Sequence, residues 1–148
     1  MSTRSEIAIL NNDGTVTAIY CHWDGYVENN GIILSEHYKE IEKVKELIKN
    51  GDLSSLNKNI EPNKDSEHSF ERPQKDVCVY YHRDRGEEWD YTKPKTYQNI
   101  LEMYKDSKNI WAEYLYIYIV NEWYYAETRN KKLYLKHLDT EVEEIKNK

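Results

Sequence analysis

Apolar and polar positions alternate through "SEIAILNNDGTVTAIYCHW", residues 5–23, in two runs joined by "NNDG". Alternation with a period of two marks strands, and Asp-Gly marks a tight turn, so this segment predicts an antiparallel hairpin of residues 5–10 and 15–23. On its second strand, Val16, Ala18, Tyr20 and His22 share one face, and Thr17, Ile19, Cys21 and Trp23 the other. The period changes at Gly31. Ile33, Leu34, Tyr38, Ile41, Val44, Leu47 and Ile48 recur at helical spacing, predicting a helix over 33–50 with a break near Lys39 and Gly51 as its stop.

Beyond it, "GDLSSL" reads as a short helical turn capped by Asp52. Residues 57–76 carry two prolines, many charges and no periodicity, and read as a long polar loop that could act as a lid. "DVCVYYHRDRG" predicts a central strand ending in a charged turn, and "TYQNILEMYKDS" a helix with Ile100, Leu101 and Tyr104 inward. "WAEYLYIYIVNEWYYAET" reads as a second hairpin, turning around Asn121 and Glu122. In the tail, 131–148, Leu135, Leu138, Val142 and Ile145 fit a charged, partly exposed helix. The expected fold is α+β. It has one domain over 1–148, a mostly antiparallel sheet of about five strands (two hairpins plus a central strand), and two or three helices packed on it.

Composition adds one peculiarity to this outline. The chain of 148 residues is 39% hydrophobic and 32% charged, and it has fourteen tyrosines against one phenylalanine. Its core must therefore use rings whose hydroxyl needs a partner. A net charge of −6 disfavours direct nucleic-acid binding over a broad surface, although it leaves room for a local basic pocket. Cys21 and Cys78 lack CxxC spacing and follow no signal-peptide pattern, so they read as buried thiols of a reduced, cytosolic protein. No run approaches the roughly 20 apolar residues of a membrane span.

Two clusters carry candidate chemistry, each at an expected strand end. In the first, His22, Trp23, Asp24 and Tyr26 form either a stacking and hydrogen-bonding wall or a polar turn in which Asp24 caps local amides. In the second, "YYHRDRGEEWDY", Arg83 and Arg85 would share one face of a strand opposite His82 and Asp84. They either grip an anion such as phosphate or pair with Asp84, Glu87, Glu88 or Asp90. The candidate ligand-binding residues are therefore Arg4, His22, Trp23, Asp24, Tyr26, His82, Arg83 and Arg85. No HExxH, CxxC pair, GxSxG, P-loop or Rossmann pattern is present, so neither a cofactor, a metal nor a catalytic residue is expected. The alternative is a small metal-dependent hydrolase or nuclease using His22, Asp24, His82 and Asp84.

The segments "TRS", "DGTVTAIYCHWDGYVENNG", "EKVKELIKNGDLSSL" and "YYHRDRGEE" resemble a family of small uncharacterised proteins of bacteriophages and prophages. The likeness spans residues 2–56 and 77–88, and more loosely "EYLYIYIVNEWYYAE". It implies context and transfers no catalytic residue. The context is a phage accessory protein in the cytoplasm of its bacterial host that neutralises a defence by binding, with no membrane role. Its partner would be a nucleotide-like signalling molecule or a host immune protein masked in the manner of an anti-CRISPR inhibitor. Homo-oligomerisation is compatible with that role.

Overall fold

A computed structural model describes residues 2–148. It is an α+β fold built on one mixed sheet of eight strands: β1 (Ser5–Leu10), β2 (Val16–Cys21), β3 (Leu53–Ser55), β4 (Val79–Tyr80), β5 (Lys95–Tyr97), β6 (Tyr114–Ile119), β7 (Glu122–Glu127) and β8 (Lys136–His137). Six helices accompany it: α1 (Ile32–His37), α2 (Ile41–Lys49), α3 (Tyr81–Arg85), α4 (Trp89–Thr92), α5 (Ile100–Ser107) and α6 (Leu138–Lys146). The expected five-strand, mostly antiparallel sheet is thus too small and too uniform. The order is β4-β3-β2-β1-β6-β7-β8, and β1 runs parallel to β6, as β2 does to β3.

Both expected hairpins form. β1 and β2 pair antiparallel from Ser5↔Cys21 to Leu10↔Val16, and β6 and β7 from Tyr114↔Glu127 to Ile119↔Glu122. The second turn is centred on Val120 and Asn121, one residue earlier than the sequence predicts, with φ of 43° and 69°. The far edge of β2 is divided. Val16, Thr17 and Ala18 pair with β5, while Cys21 pairs with Leu53 of β3. "GDLSSL" is consequently a strand and not a helical turn, and the Asp52 carboxylate accepts from the Tyr20 amide at 2.9 Å instead of capping.

The expected helix over 33–50 is two helices separated at residues 38–40, preceded by a π-helical turn at Val27–Gly31. Together with α6 they cover one sheet face, enclosing Ile7, Ile19, Cys21, Tyr116 and Trp123. The opposite face, with Ala8, Val16, Ala18, Leu115 and Ile117, is covered by α5 through Met103 and Tyr104. Leu101 points to solvent rather than inward, and Leu135 precedes α6 and packs on the α5 side, so neither follows its helical expectation. In α6, Leu138 and Val142 are buried.

The tyrosines resolve the compositional peculiarity. Tyr38, Tyr80, Tyr116 and Tyr118 are buried, and their hydroxyls donate to the carbonyls of Asn57, Leu47, Gly25 and Lys39 at 2.6–2.7 Å. Each ring fills core volume while its hydroxyl satisfies a backbone acceptor that a dry side chain would strand. The core is thereby stitched to the loops. Among the described residues no helix is long and apolar enough to cross a membrane.

Candidate functional site: a basic groove beside Trp111

The first cluster is only partly a wall. β2 ends at Cys21, and the His22 and Trp23 amides continue pairing with the Leu53 and Ser54 carbonyls at 3.1 and 3.0 Å. His22 accepts or donates at Nδ1 to the Tyr20 hydroxyl (2.7 Å), and Trp23, 44% exposed, meets its ring edge-on at 4.7 Å. Burial and the nearby Arg4 charge both hold the His22 imidazole below its usual range. Asp24 adopts the left-handed region (φ 55°), its carbonyl receives Asn29 and Asn30, and its carboxylate takes a 3.4 Å bond from Tyr26. That is a turn residue. Gly25 and Gly31 have ordinary φ values and serve close packing: a Cβ at Gly25 would sit 2.8 Å from the Thr3 carbonyl, and one at Gly31 2.9 Å from Val27.

The second cluster does not form the expected anion grip. Only Val79 and Tyr80 are strand; residues 81–85 wind into α3 and end at Gly86 (φ 81°), so Arg83 and Arg85 share no strand face. Arg83 is consumed. It bonds both Asp84 oxygens (2.9 and 3.0 Å), donates to the Ile60 and Cys78 carbonyls (2.7 and 2.9 Å) and lies over the Tyr80 ring. Asp84 also receives the Tyr80 amide and, at 3.3 Å, His68. This half-buried network ties the segment 57–78 to β4, where a guanidinium with five donors satisfies carbonyls that a loop without regular structure would leave open. Arg85 lies over Phe70 and 3.9 Å from Glu87, and His82 Nδ1 is engaged by the Glu87 carbonyl. Of the two readings of the arginine pair, the ion-pair network is the one observed.

Strand β3 lies between the ends of β2 and β4, so the two clusters occupy one end of the sheet on either side of it. His22, Asp24, His82 and Asp84 still do not converge. Among the described residues no three His, Cys, Asp or Glu side chains are grouped to hold a metal ion. Both cysteines are buried, and burial pushes the Cys21 thiol up to about 12.

A different site appears at the start of β1. Arg4 lines a groove of about 690 Å³ with Lys108, Trp111, Glu113, Thr128 and Arg129. Its frame is a lattice of backbone bonds: Glu113 N to Arg4 O (2.7 Å), Thr128 N to Glu113 O (3.0 Å) and Ala112 N to Ser107 O (3.0 Å), with Thr128 Oγ1 donating to Ala112 O (2.6 Å). Trp111 stands 74% exposed at φ 63°. A bulky residue in the left-handed region is strained, and packing does not compensate an indole left in water. Arg72, Arg83, Arg85 and Arg129 each pair with a carboxylate, whereas Arg4 has no such partner among the described residues. The groove thus offers one unpaired guanidinium, two further cations and an open aromatic face, with Glu113 as the one carboxylate in its wall.

Arg4 also links this groove to a polar stretch of the same sheet face. Its charge reaches Tyr20 and His22, and two residues along β1 lies Glu6, 2% exposed, with Oε1 lacking any hydrogen-bond partner. Burial pushes the Glu6 carboxyl up to about 8 against the opposing charge of Lys95.

The chain matches no protein-family model, no curated protein and no solved structure. Sequence reasoning finds Arg4 but misses Lys108, Trp111 and Arg129. Their one sequence signal is a tryptophan set within "KDSKNIWAE", a polar link between a helix and a strand.

Proposed function

We propose that the protein is a non-enzymatic phage accessory protein that neutralises a host defence by sequestering a nucleotide-like small molecule in the Trp111 groove. The observation that carries this reading is an exposed indole, held at a strained backbone angle, beside the unpaired Arg4. A base has a π-face for the ring and a phosphate for the cations, and stacking of this kind is worth about 1–3 kcal/mol per base. The defence context rests on the likeness to phage proteins in "TRS" and "YCHWDGY", and the host cytoplasm is the location that goes with this reading. Compared with the sequence reading, Arg4 is kept as a phosphate contact, Arg83 and Arg85 give way to Lys108 and Arg129, and the stacking platform moves from Trp23 and Tyr26 to Trp111.

The protein-masking version of the same role has its own support in the exposed Glu143 and Glu144 on α6. It predicts a co-purifying host protein and no small molecule. Native mass spectrometry from defence-positive cells separates the two.

The direct test is Trp111→Gly. Glycine relieves the left-handed strain, so the melting temperature stays level or rises, while affinity for a nucleoside monophosphate falls at least about tenfold through lost stacking. Calorimetric titration together with a thermal melt reads both. Undiminished binding by a stable Trp111→Gly protein would remove the groove as the site.

A further inference from the structure

Lys108 lines more than one groove. On its other side a second groove of about 460 Å³ runs between α5 and the chain that follows β7, walled by Leu101, Tyr104 and Leu133 and edged by Lys105, Lys131 and Lys132. Tyr104 fastens this wall: its hydroxyl donates to the carbonyls of Asn130 and Lys132, and the Lys108 ammonium reaches the Asn130 carbonyl at 3.4 Å while lying 4.8 Å from the Tyr104 ring centre. Lys131 and Lys132 are exposed, and among the described residues neither pairs with a carboxylate, whereas Lys105 lies 3.7 Å from Glu102. In a chain of net charge −6, cations collect along one continuous track, from Arg4 and Arg129 through Lys108 to Lys131 and Lys132.

Resting on the nucleotide-binding reading above, we propose that the ligand is a phosphodiester-linked dinucleotide. One base stacks on Trp111 with its phosphate at Arg4 and Arg129, the linking phosphate lies at Lys108, and the second nucleoside rests on Leu101 and Leu133 with Lys131 and Lys132 at its rim. The second groove decides between ligand types. A bare polyphosphate chain would engage the lysines but leave the leucine wall in water, whereas a nucleoside covers both. A long polynucleotide would run off the track onto an acidic surface, which repels it.

The test titrates the intact protein with AMP, the linear dinucleotide pApA and ATP, with GMP, pGpG and GTP in parallel to cover base preference. A dinucleotide is expected to bind at least about tenfold more tightly than its mononucleotide, since it adds charge-assisted contacts and a second apolar surface. The exposed substitution Leu101→Gln, which takes an apolar side chain out of the wall that receives the second nucleoside, is expected to cut that advantage several-fold and leave mononucleotide affinity unchanged. Mononucleotide binding without any dinucleotide advantage overturns the proposal, as does an advantage that the Leu101→Gln protein keeps in full. A nucleoside triphosphate that matches the dinucleotide overturns it in favour of a polyphosphate chain. Failure of every nucleotide to bind overturns the underlying function as well, and so separates the two conclusions.

Discussion

Glu6 shows how much a single residue can be asked to bear. Its carboxyl is enclosed on the α5 side of the sheet with Oε1 unpartnered, in the fields of Lys95, Asp106 and Asp52, and its pKa stands near 8 against an ordinary 4.5. Above pH 4.5 the unfolded chain has released a proton that the native carboxyl still holds, so the native state binds more protons and stability falls as pH rises. The loss extends from about pH 4.5 to about pH 8 and then levels. Asp52, raised by burial to about 6, adds a slope of the same sign at the lower end of that window. Glu6→Gln removes a buried ionisation, and each pKa unit corresponds to about 1.4 kcal/mol. The variant should therefore be more stable than the parent at pH 8 by a few kcal/mol and nearly equal to it at pH 4.5. Urea midpoints at the two pH values measure this, and equal stabilities at pH 8 would show that Glu6 is ionised at little cost. The sequence gives no hint of such a role, because Glu6 alternates on a strand as any solvent-facing residue would. Its neighbours in the fold, Lys95 and Tyr97 of β5 and Asp106 of α5, come from segments far along the chain. Arg83 shows the converse: the sequence shows its charge but not its partners, and Asp84, Ile60 and Cys78 use up the donors that a free arginine would offer a phosphate.

Among the elements, local patterns are legible and long-range pairings are not. Alternation and Asp-Gly locate β1 and β2, helical spacing locates α2 and α5, and the aromatic alternation of 114–127 locates the second hairpin. Missed are β3, β5 and β8, too short to establish a period and strands only because a neighbour completes their ladders, while the strand expected in 76–86 is found as β4 but holds two residues and lies at the sheet edge rather than its centre. The second hairpin also hides its turn. A two-residue connection with both φ values positive favours Asn-Gly or Asp-Gly, yet here Val120 fills the first position, 85% exposed. A left-handed conformation costs an L-residue roughly 1–2 kcal/mol, most for a branched one, and no burial offsets it at this position. Val120→Asn is accordingly expected to stabilise the protein by about 1 kcal/mol, read as a higher urea midpoint with an unchanged slope. A lower midpoint would mean that the valine makes a contact worth more than its strain.

The molecule as a whole separates its charges. Acidic α6 packs on one face of the sheet, while α5, which leads into the basic track, packs on the other. Binding in the Trp111 groove should therefore respond to salt as a cationic site does, despite the net charge of −6. Affinity is expected to fall as salt rises, because screening weakens the attraction between the ligand phosphates and the groove cations, and to fall more steeply for pApA than for AMP. A flat response would mean that stacking alone holds the ligand. The parallel pairing of β1 with β6 has a consequence for the order in which the molecule is made. The hairpin of β1 and β2 leaves the ribosome well before β6, the strand that closes the other edge of β1, which begins only at Tyr114. Until the chain through Ile119 has been synthesised and folded back, the backbone of β1 presents an open ladder to any passing chain, since a sheet edge with unpaired amides and carbonyls is a ready template. The nascent protein is thus most exposed to misassociation along the very strand that ends up at the centre of its sheet.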